Sequence, residues 1–94
     1  MNKSDKFYNK LLNQLKLTSS WPNSYLFKFI IKSNFTNSND LRNIFNDLNP
    51  EISLKSSKNN KYTSISIKVF IDSPEEIIKR YKEVGDKIKG VISL

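Results

Sequence analysis

The stretch SYLFKFIIK, residues 24–32, is the most apolar run in the chain, yet a lysine stands in its middle. Successive side chains of an extended strand point to opposite faces. The run therefore separates into an apolar face (Tyr25, Phe27, Phe29 and Ile31) and a mixed face (Leu26, Lys28, Ile30 and Lys32). This pattern predicts a half-buried strand, with Lys28 on the face turned away from the core.

A second stretch, KYTSISIKVFI at residues 61–71, has the same period of two. Its core face is predicted to hold Thr63, Ile65, Ile67, Val69 and Ile71, and its other face Tyr62, Ser64, Ser66, Lys68 and Phe70. It follows a shorter predicted strand over residues 51–57. Because asparagine tolerates positive φ, Asn59-Asn60 between the two strands is predicted to form a tight two-residue hairpin turn.

Three segments have the spacing of amphipathic helices. Their apolar stripes are Phe7, Leu11, Leu12 and Leu15 in residues 5–17, Leu41, Ile44, Phe45 and Leu48 in residues 41–48, and Ile77, Ile78, Tyr81 and Val84 in the last helix. The sequence SPEE predicts the start of that last helix, with Ser73 as cap, Pro74 in the first position and Glu76 completing a capping box. Gly85 is predicted to end it in the left-handed conformation, and residues 88–94 to form a final strand.

Two crossover helices joined through a hairpin predict an α+β fold of the ferredoxin-like βαββαβ type. We expect a four-stranded antiparallel sheet of order 4-1-3-2 with two helices on one face, plus an extra N-terminal helix. Residues 1–94 form a single domain in this interpretation, with residues 1–20 as the N-terminal helix and connector and residues 24–94 as the core. The core motif leaves the other face of the sheet uncovered.

The chain contains no histidine and no cysteine. It therefore lacks an imidazole base, a thiol nucleophile and the usual ligands of first-row metals. The carboxylates at Asp47, Glu51, Asp72, Glu75 and Glu76 flank predicted helix ends and are interpreted as exposed structural groups. We accordingly predict no catalytic residue, no cofactor and no metal site, and expect that the protein is not an enzyme.

Composition also limits the partners. No apolar run approaches the roughly 18 to 20 residues that span a bilayer, and the absence of cysteine fits a reducing interior, so a cytoplasmic protein without membrane contact is expected.

The formal charge is +7, but lysine outnumbers arginine fourteen to two. Because arginine is the preferred reader of phosphate and guanine, nucleic acid is not the expected partner. Codon bias is an alternative origin of the charge.

Three phrases carry a family resemblance: WPNSYLFKFIIK, NKYTSISIKVF and IIKRYKEVGDKIKGVISL, in that order. From Phe7 to Leu94 the chain resembles the YbeD-like family of small bacterial proteins, a domain of unknown function. Pro22 before the first strand, Lys28 within it, residues 61–64 and the apolar residues 91–94 match the family's pattern. The resemblance implies a ferredoxin-like domain similar in shape to ACT regulatory domains, and it implies no activity.

The candidate binding face is the mixed side of the two central strands. Its residues are Leu26, Lys28, Ile30, Lys32, Tyr62, Ser64, Ser66 and Lys68. It is too apolar for a solvated surface and too polar for a core, so it is expected to pair with a second copy, accept a partner protein, or be covered by the N-terminal helix. Lys28 either covers the sheet with its stem while its ammonium reaches water, or binds the partner directly.

The sequence favours a non-enzymatic binding or regulatory domain that acts through protein contact on this face. One alternative is a metabolite sensor like the ACT domains, although no glycine before Gly85 would let a small ligand approach the backbone. A second alternative is a weak, sequence-tolerant binder of RNA or DNA. Its stacking aromatics would be Tyr62 and Phe70, which lie at strand ends and not at the centre of the sheet.

Overall fold

The computed structural model describes residues 3–33 and 38–94. The elements in chain order are α1 (Lys3–Thr18), β1 (Asn23–Lys32), α2 (Ser38–Phe45), a 3-10 turn (Asn46–Leu48), β2 (Glu51–Ser56), β3 (Tyr62–Ile71), α3 (Pro74–Lys87) and β4 (Ile92–Ser93). Within these ranges the fold is α+β, with three α-helices and one four-stranded antiparallel sheet. The predicted loop between β1 and α2 falls partly on residues 34–37, which lie outside the described residues.

The strand order is β2-β3-β1-β4, which becomes 4-1-3-2 when counted from the β4 edge. As predicted, the two long alternating strands lie at the centre, paired antiparallel from Asn23↔Ile71 to Lys32↔Tyr62. Residues directly opposite one another share a face of the sheet. The pairs Phe27↔Ile67 and Phe29↔Ile65 therefore set the apolar sides of both strands together.

The core lies between this apolar side and the helices. Phe27 is fully buried, and its ring centroid lies 4.7 Å from that of Phe45 in α2 and 4.9 Å from that of Tyr81 in α3. The predicted stripe of α3 is buried as well, together with Leu41 and Ile44 of α2. Both crossover helices thus cover the same side of the sheet, as the sequence predicts.

The end of α3 differs from the prediction. The helix continues through Gly85 to Lys87, and Ile88 takes an extended conformation while its N–H donates to the Val84 carbonyl over 2.9 Å. The left-handed glycine is Gly90, with φ of 74°. Because Ile88 is buried under the helix layer, the chain turns five residues later than expected, and β4 is limited to Ile92–Ser93.

The hairpin between β2 and β3 is also wider than predicted. Ser56 pairs with Thr63, and the Ser57 N–H donates to the Tyr62 carbonyl over 2.8 Å. This leaves residues 58–61 as the loop, so the two-residue turn is wrong. Only Asn60 of its asparagines has a positive φ, at 59°, because the Asn59 side chain instead accepts hydrogen bonds from the Ser57 hydroxyl and the Lys61 N–H.

The packing stripe of α1 is rotated from the predicted one. Phe7 is 58 % exposed, and the α1 side chains that pack against the core are Tyr8, Leu11 and Leu15. The helix lies against α3, where Lys82 Nζ is 5.6 Å from the Tyr8 ring centroid and Lys16 Nζ is 3.8 Å from Glu75 Oε1. The two helices are therefore antiparallel neighbours in the same layer.

Candidate functional site

The open face is the side of the sheet turned away from the helices. Its central part consists of four directly opposite pairs: Leu26↔Lys68, Lys28↔Ser66, Ile30↔Ser64 and Lys32↔Tyr62. These are the eight residues predicted from the sequence, and the register brings them all together on one surface. Their grouping follows from strand alternation, and a binding role for them stays a prediction.

The N-terminal helix does not cover this surface. It lies against α3 on the opposite side of the sheet, and on the open face Leu26 stays 48 % exposed and Tyr62 43 % exposed. One of the three expectations for the open face, an intramolecular lid formed by α1, is therefore wrong. Tyr8, Leu11 and Leu15 pack against the core instead, so these apolar side chains of α1 are used on the helix side of the sheet.

The register of β4 adds two residues that sequence reasoning missed. Ile92 lies directly opposite Ile30, and the Leu94 N–H donates to the Lys28 carbonyl over 2.9 Å, which places Leu94 beside Lys28. Ile92 is 51 % exposed and Leu94 is 66 % exposed. The last three residues alternate between apolar and polar in the sequence. Only the pairing of β4 with β1 shows that Ile92 and Leu94 extend the open face.

The aliphatic side chains of the open face lie on two adjacent strands. We name Leu26, Ile30, Ile92 and Leu94 the apolar strip; it follows β1 and β4. On the β3 and β2 side the same face carries serines, Lys68 and Lys55, because Lys55 lies opposite Ser64 and Glu51 opposite Lys68. The exposed aromatic side chains of Tyr62 and Phe70 stand at the two ends of β3 on this face. The face thus has an apolar strip along β1 and β4, two aromatic side chains at the ends of β3, and lysines on β1, β2 and β3.

Its charge is one-sided. Lys28, Lys32, Lys55 and Lys68 are all exposed. Among the described residues that strand alternation places on this face, Glu51 is the sole carboxylate. The surface is therefore positive, and the lysine that interrupts SYLFKFIIK stands within its apolar strip, between Leu26 and Ile30 and beside Leu94.

A buried arginine on the other side of the molecule was not predicted. Arg80 in α3 donates from Nη1 and Nη2 to the two carboxylate oxygens of Asp47, each over 2.8 Å, and from Nε to Glu76 Oε1 over 2.9 Å. Nη1 also donates to the Ile44 carbonyl at the end of α2. This guanidinium group joins α3 to the turn after α2. Asp47 and Glu76, interpreted from the sequence as structural groups, both bind Arg80.

The ion pair between Arg80 and Asp47 shifts the pKa of each partner in the direction expected for opposite charges. The hydrogen bond from Arg80 lowers the pKa of Asp47 below its usual 3.8, and the bond to Asp47, followed by that to Glu76, raises the pKa of Arg80. Ser73 caps α3 by accepting from the Glu76 N–H over 3.3 Å, as predicted. The Glu76 carboxylate, assigned to a capping box from the sequence, binds Arg80 instead.

The core holds a second polar pair. The hydroxyl oxygens of Tyr25 and Tyr81 lie 2.9 Å apart, and burial, followed by the bond with Tyr25, raises the pKa of Tyr81. A phenol whose pKa rises stays protonated at neutral pH. The bond therefore gives each of two partly buried hydroxyls a hydrogen-bond partner.

Neither a metal-binding cluster of side chains nor a membrane-spanning helix occurs in the part of the chain that the structure describes. No group of three or more acidic side chains there could hold a metal ion. Likewise, none of the helices in the described ranges is both long and apolar enough to cross a membrane. The open face therefore remains the candidate site, and its described residues include no nucleophile paired with a base.

Comparison with known protein families gives a match over most of the chain. Residues 17–92 match a family described as "Protein of unknown function (DUF493)". The matched region begins at the end of α1, includes β1, β2 and β3, and ends at the first residue of β4. No curated protein and no solved structure matches the chain.

Proposed function

The chain belongs to this family of proteins of unknown function, DUF493, and we propose that it is a non-enzymatic binding domain whose working surface is the open face. One observation carries the proposal. Leu26, Tyr62 and Ile92 are each about half exposed on a face that none of the described helices covers. Large apolar side chains that stay this exposed beside polar ones on one face are typical of protein interaction sites.

Two finer assignments support the same proposal. We assign the domain to the ferredoxin-like arrangement, because β1 and β3 are central and both crossover helices lie on one side of the sheet. We also assign it to the YbeD-like group within DUF493, on the three sequence phrases given above. In a ferredoxin-like domain the uncovered sheet face is the surface available for a partner. We propose that this partner is a cytoplasmic protein.

The proposal is tested by affinity capture from native cytoplasm with matched charge variants. Lys28→Glu plus Lys68→Glu reverses two exposed charges on the open face. Lys6→Glu plus Lys10→Glu makes the same change in net charge on exposed positions of α1. We expect the first variant to lose proteins that the wild type and the α1 variant both retain.

An identical set of captured proteins for all three would mean that the open face is not the working surface. Loss with both variants alike would show that net charge, and not the face, decides capture. Circular dichroism of each variant checks that the fold is kept, since all four lysines are exposed.

A further inference from the structure

We propose that the partner presents an acidic amphipathic helix that lies along the apolar strip of the open face. This inference rests on the proposed function and names the chemistry of the partner at the same site. It depends on three features of the described residues: the dimensions of the strip, the backbone requirements of anything that lies on a sheet face, and the one-sided charge around the strip.

The length of the strip suits a short helix. Leu26 and Ile30 are four residues apart on β1, which corresponds to about 14 Å along an antiparallel strand. A helix rises about 1.5 Å per residue, so two and a half turns, or about nine residues, cover that distance. Ile92 widens the strip opposite Ile30 and Leu94 widens it beside Lys28, which gives a helical stripe two rows of apolar side chains to contact.

The geometry of a sheet face selects a helix over an extended segment. The N–H and C=O groups of β1 and β3 point toward neighbouring strands, so the open face itself presents side chains. An extended peptide lying flat on it would lose water from its own backbone groups without gaining partners, at a cost for each buried group. A helix satisfies its backbone internally, and the chain's own α2 and α3 cover the opposite face of the sheet in this way.

The charges around the strip select acidic flanks and exclude a second copy. Lys68 lies opposite Leu26, Lys28 lies within the strip, and Lys32 follows Ile30 by two residues. A partner with glutamate or aspartate beside its apolar stripe would place carboxylates near these ammonium groups. Two copies stacked face to face would oppose the same lysines with only Glu51 to compensate, and like charges across an interface oppose association.

The test uses three synthetic helical peptides, each about 18 residues long. The first has a leucine stripe with glutamate on its flanks. The second has the same stripe with lysine in place of glutamate, and the third has the composition of the first with its leucines dispersed. Binding to the full chain is measured by fluorescence anisotropy, and the site by amide chemical shifts.

We expect the first peptide to bind about tenfold more tightly than the lysine peptide, which corresponds to two or three exposed ion pairs. It should also bind more tightly than the third peptide, which lacks the apolar stripe, and should shift the amides of β1 and β4. Lys28→Glu plus Lys68→Glu should remove its advantage, whereas Lys6→Glu plus Lys10→Glu should not. Ile92→Ser, at an exposed position of the short edge strand, provides a second variant that leaves the charge unchanged and should weaken binding several-fold.

Equal affinity for the glutamate and lysine peptides, or shifts confined to α1 and α3, would overturn the inference. So would tighter binding of a mixed-sequence single-stranded RNA at about 150 mM salt, since phosphate contacts would then account for the lysines. If the peptides fail while captured proteins still depend on Lys28 and Lys68, the partner's chemistry is wrong and the proposed function stands. If capture is also unaffected, both are wrong.

Discussion

Arg80 shows how much one side chain can organise in a small domain. It is a buried charged residue of α3, and its guanidinium engages the carboxylates of Asp47 and Glu76 as well as the Ile44 carbonyl. A planar fork with several donors suits this geometry, which a lysine would not reproduce. The residue therefore holds the turn after α2 against α3 from inside the structure.

Replacing Arg80 with methionine is expected to lower the free energy of unfolding by about 1 to 3 kcal/mol. The Ile44 carbonyl would lose its donor and the Glu76 carboxylate its partner, while the apolar stem would be retained. Urea denaturation near neutral pH measures the change. Lys79→Met, at the exposed neighbouring position, is the control and should stay within about 0.5 kcal/mol of the wild type; equal losses would contradict a special role for Arg80.

Asp47 should make stability depend on pH at the acidic end. Because Arg80 lowers the pKa of Asp47 below 3.8 in the folded protein, this pair stabilises the fold above that pH, and its contribution is lost as the pH falls through the lowered pKa. Asp47→Asn should therefore be destabilising near pH 6 and progressively less so below 3.8. The Asp47 side chain is largely exposed, so the expected difference is under about 1 kcal/mol.

Urea denaturation of Asp47→Asn and the wild type across this pH range measures the difference directly. The control is the same substitution in an Arg80→Met background, where the pH-dependent part should disappear. If the stability difference still depends on pH without Arg80, a group other than Arg80 causes the lowered pKa of Asp47.

Among the elements, the end of α3 and its connection to β4 differ most from what the sequence predicts. Glycine usually ends a helix where the chain needs a positive φ, yet Gly85 lies within α3 and Gly90 takes that conformation instead. A Cβ on Gly85 would lie 3.8 Å from the Tyr8 hydroxyl, an ordinary contact. Val84 and Ile88, on either side of Gly85 in the sequence, are both buried. Their burial favours continuation of the helix past the glycine.

The two glycines should respond to alanine in opposite directions. Gly85→Ala is expected to raise the free energy of unfolding by about 0.5 to 1 kcal/mol, since alanine is the better helix former. Gly90→Ala is expected to lower it by about 1 to 2 kcal/mol, because its φ of 74° disfavours a side chain. Thermal and urea denaturation of both variants compare the signs; stabilisation by Gly90→Ala would contradict the assigned turn.

The whole molecule combines a formal charge of +7 with a face that lacks a central stacking platform. Tyr62 and Phe70 stand at opposite ends of the open side of β3, eight residues or about 27 Å apart. The central positions are held by Lys28 and Ser66. We therefore expect the affinity for nucleic acid to depend on the total positive charge of the protein and not on the arrangement of side chains on the open face.

Binding to mixed-sequence RNA is expected to weaken steeply between about 50 and 200 mM salt. The open-face variant (Lys28→Glu, Lys68→Glu) and the α1 variant (Lys6→Glu, Lys10→Glu) should reduce it equally, because each removes the same amount of positive charge. Filter binding or anisotropy at several salt concentrations makes the comparison. Selective loss with the open-face variant would favour the nucleic-acid alternative over a protein partner.

Much of the fold follows from short-range patterns. The alternation of Tyr25 to Ile31 in β1 and of Thr63 to Ile71 in β3 places the correct side chains on the core face. The start of α3 at Ser73 and Pro74 is likewise confirmed. Of the candidate site, the eight residues of the central strands were predictable and do share one face, whereas Ile92 and Leu94 required the pairing of β4 with β1.

The sequence by itself determined which face of each strand is apolar and where α3 begins, because alternation of Cβ directions and helix capping act over a few residues. Only the tertiary structure decided that α1 contacts α3 through Tyr8 and not Phe7, that α3 passes through Gly85, and that Arg80 binds Asp47. Each of these depends on contacts between elements distant in sequence. For the same reason none of the described helices covers the open face, since α1 contacts α3 instead.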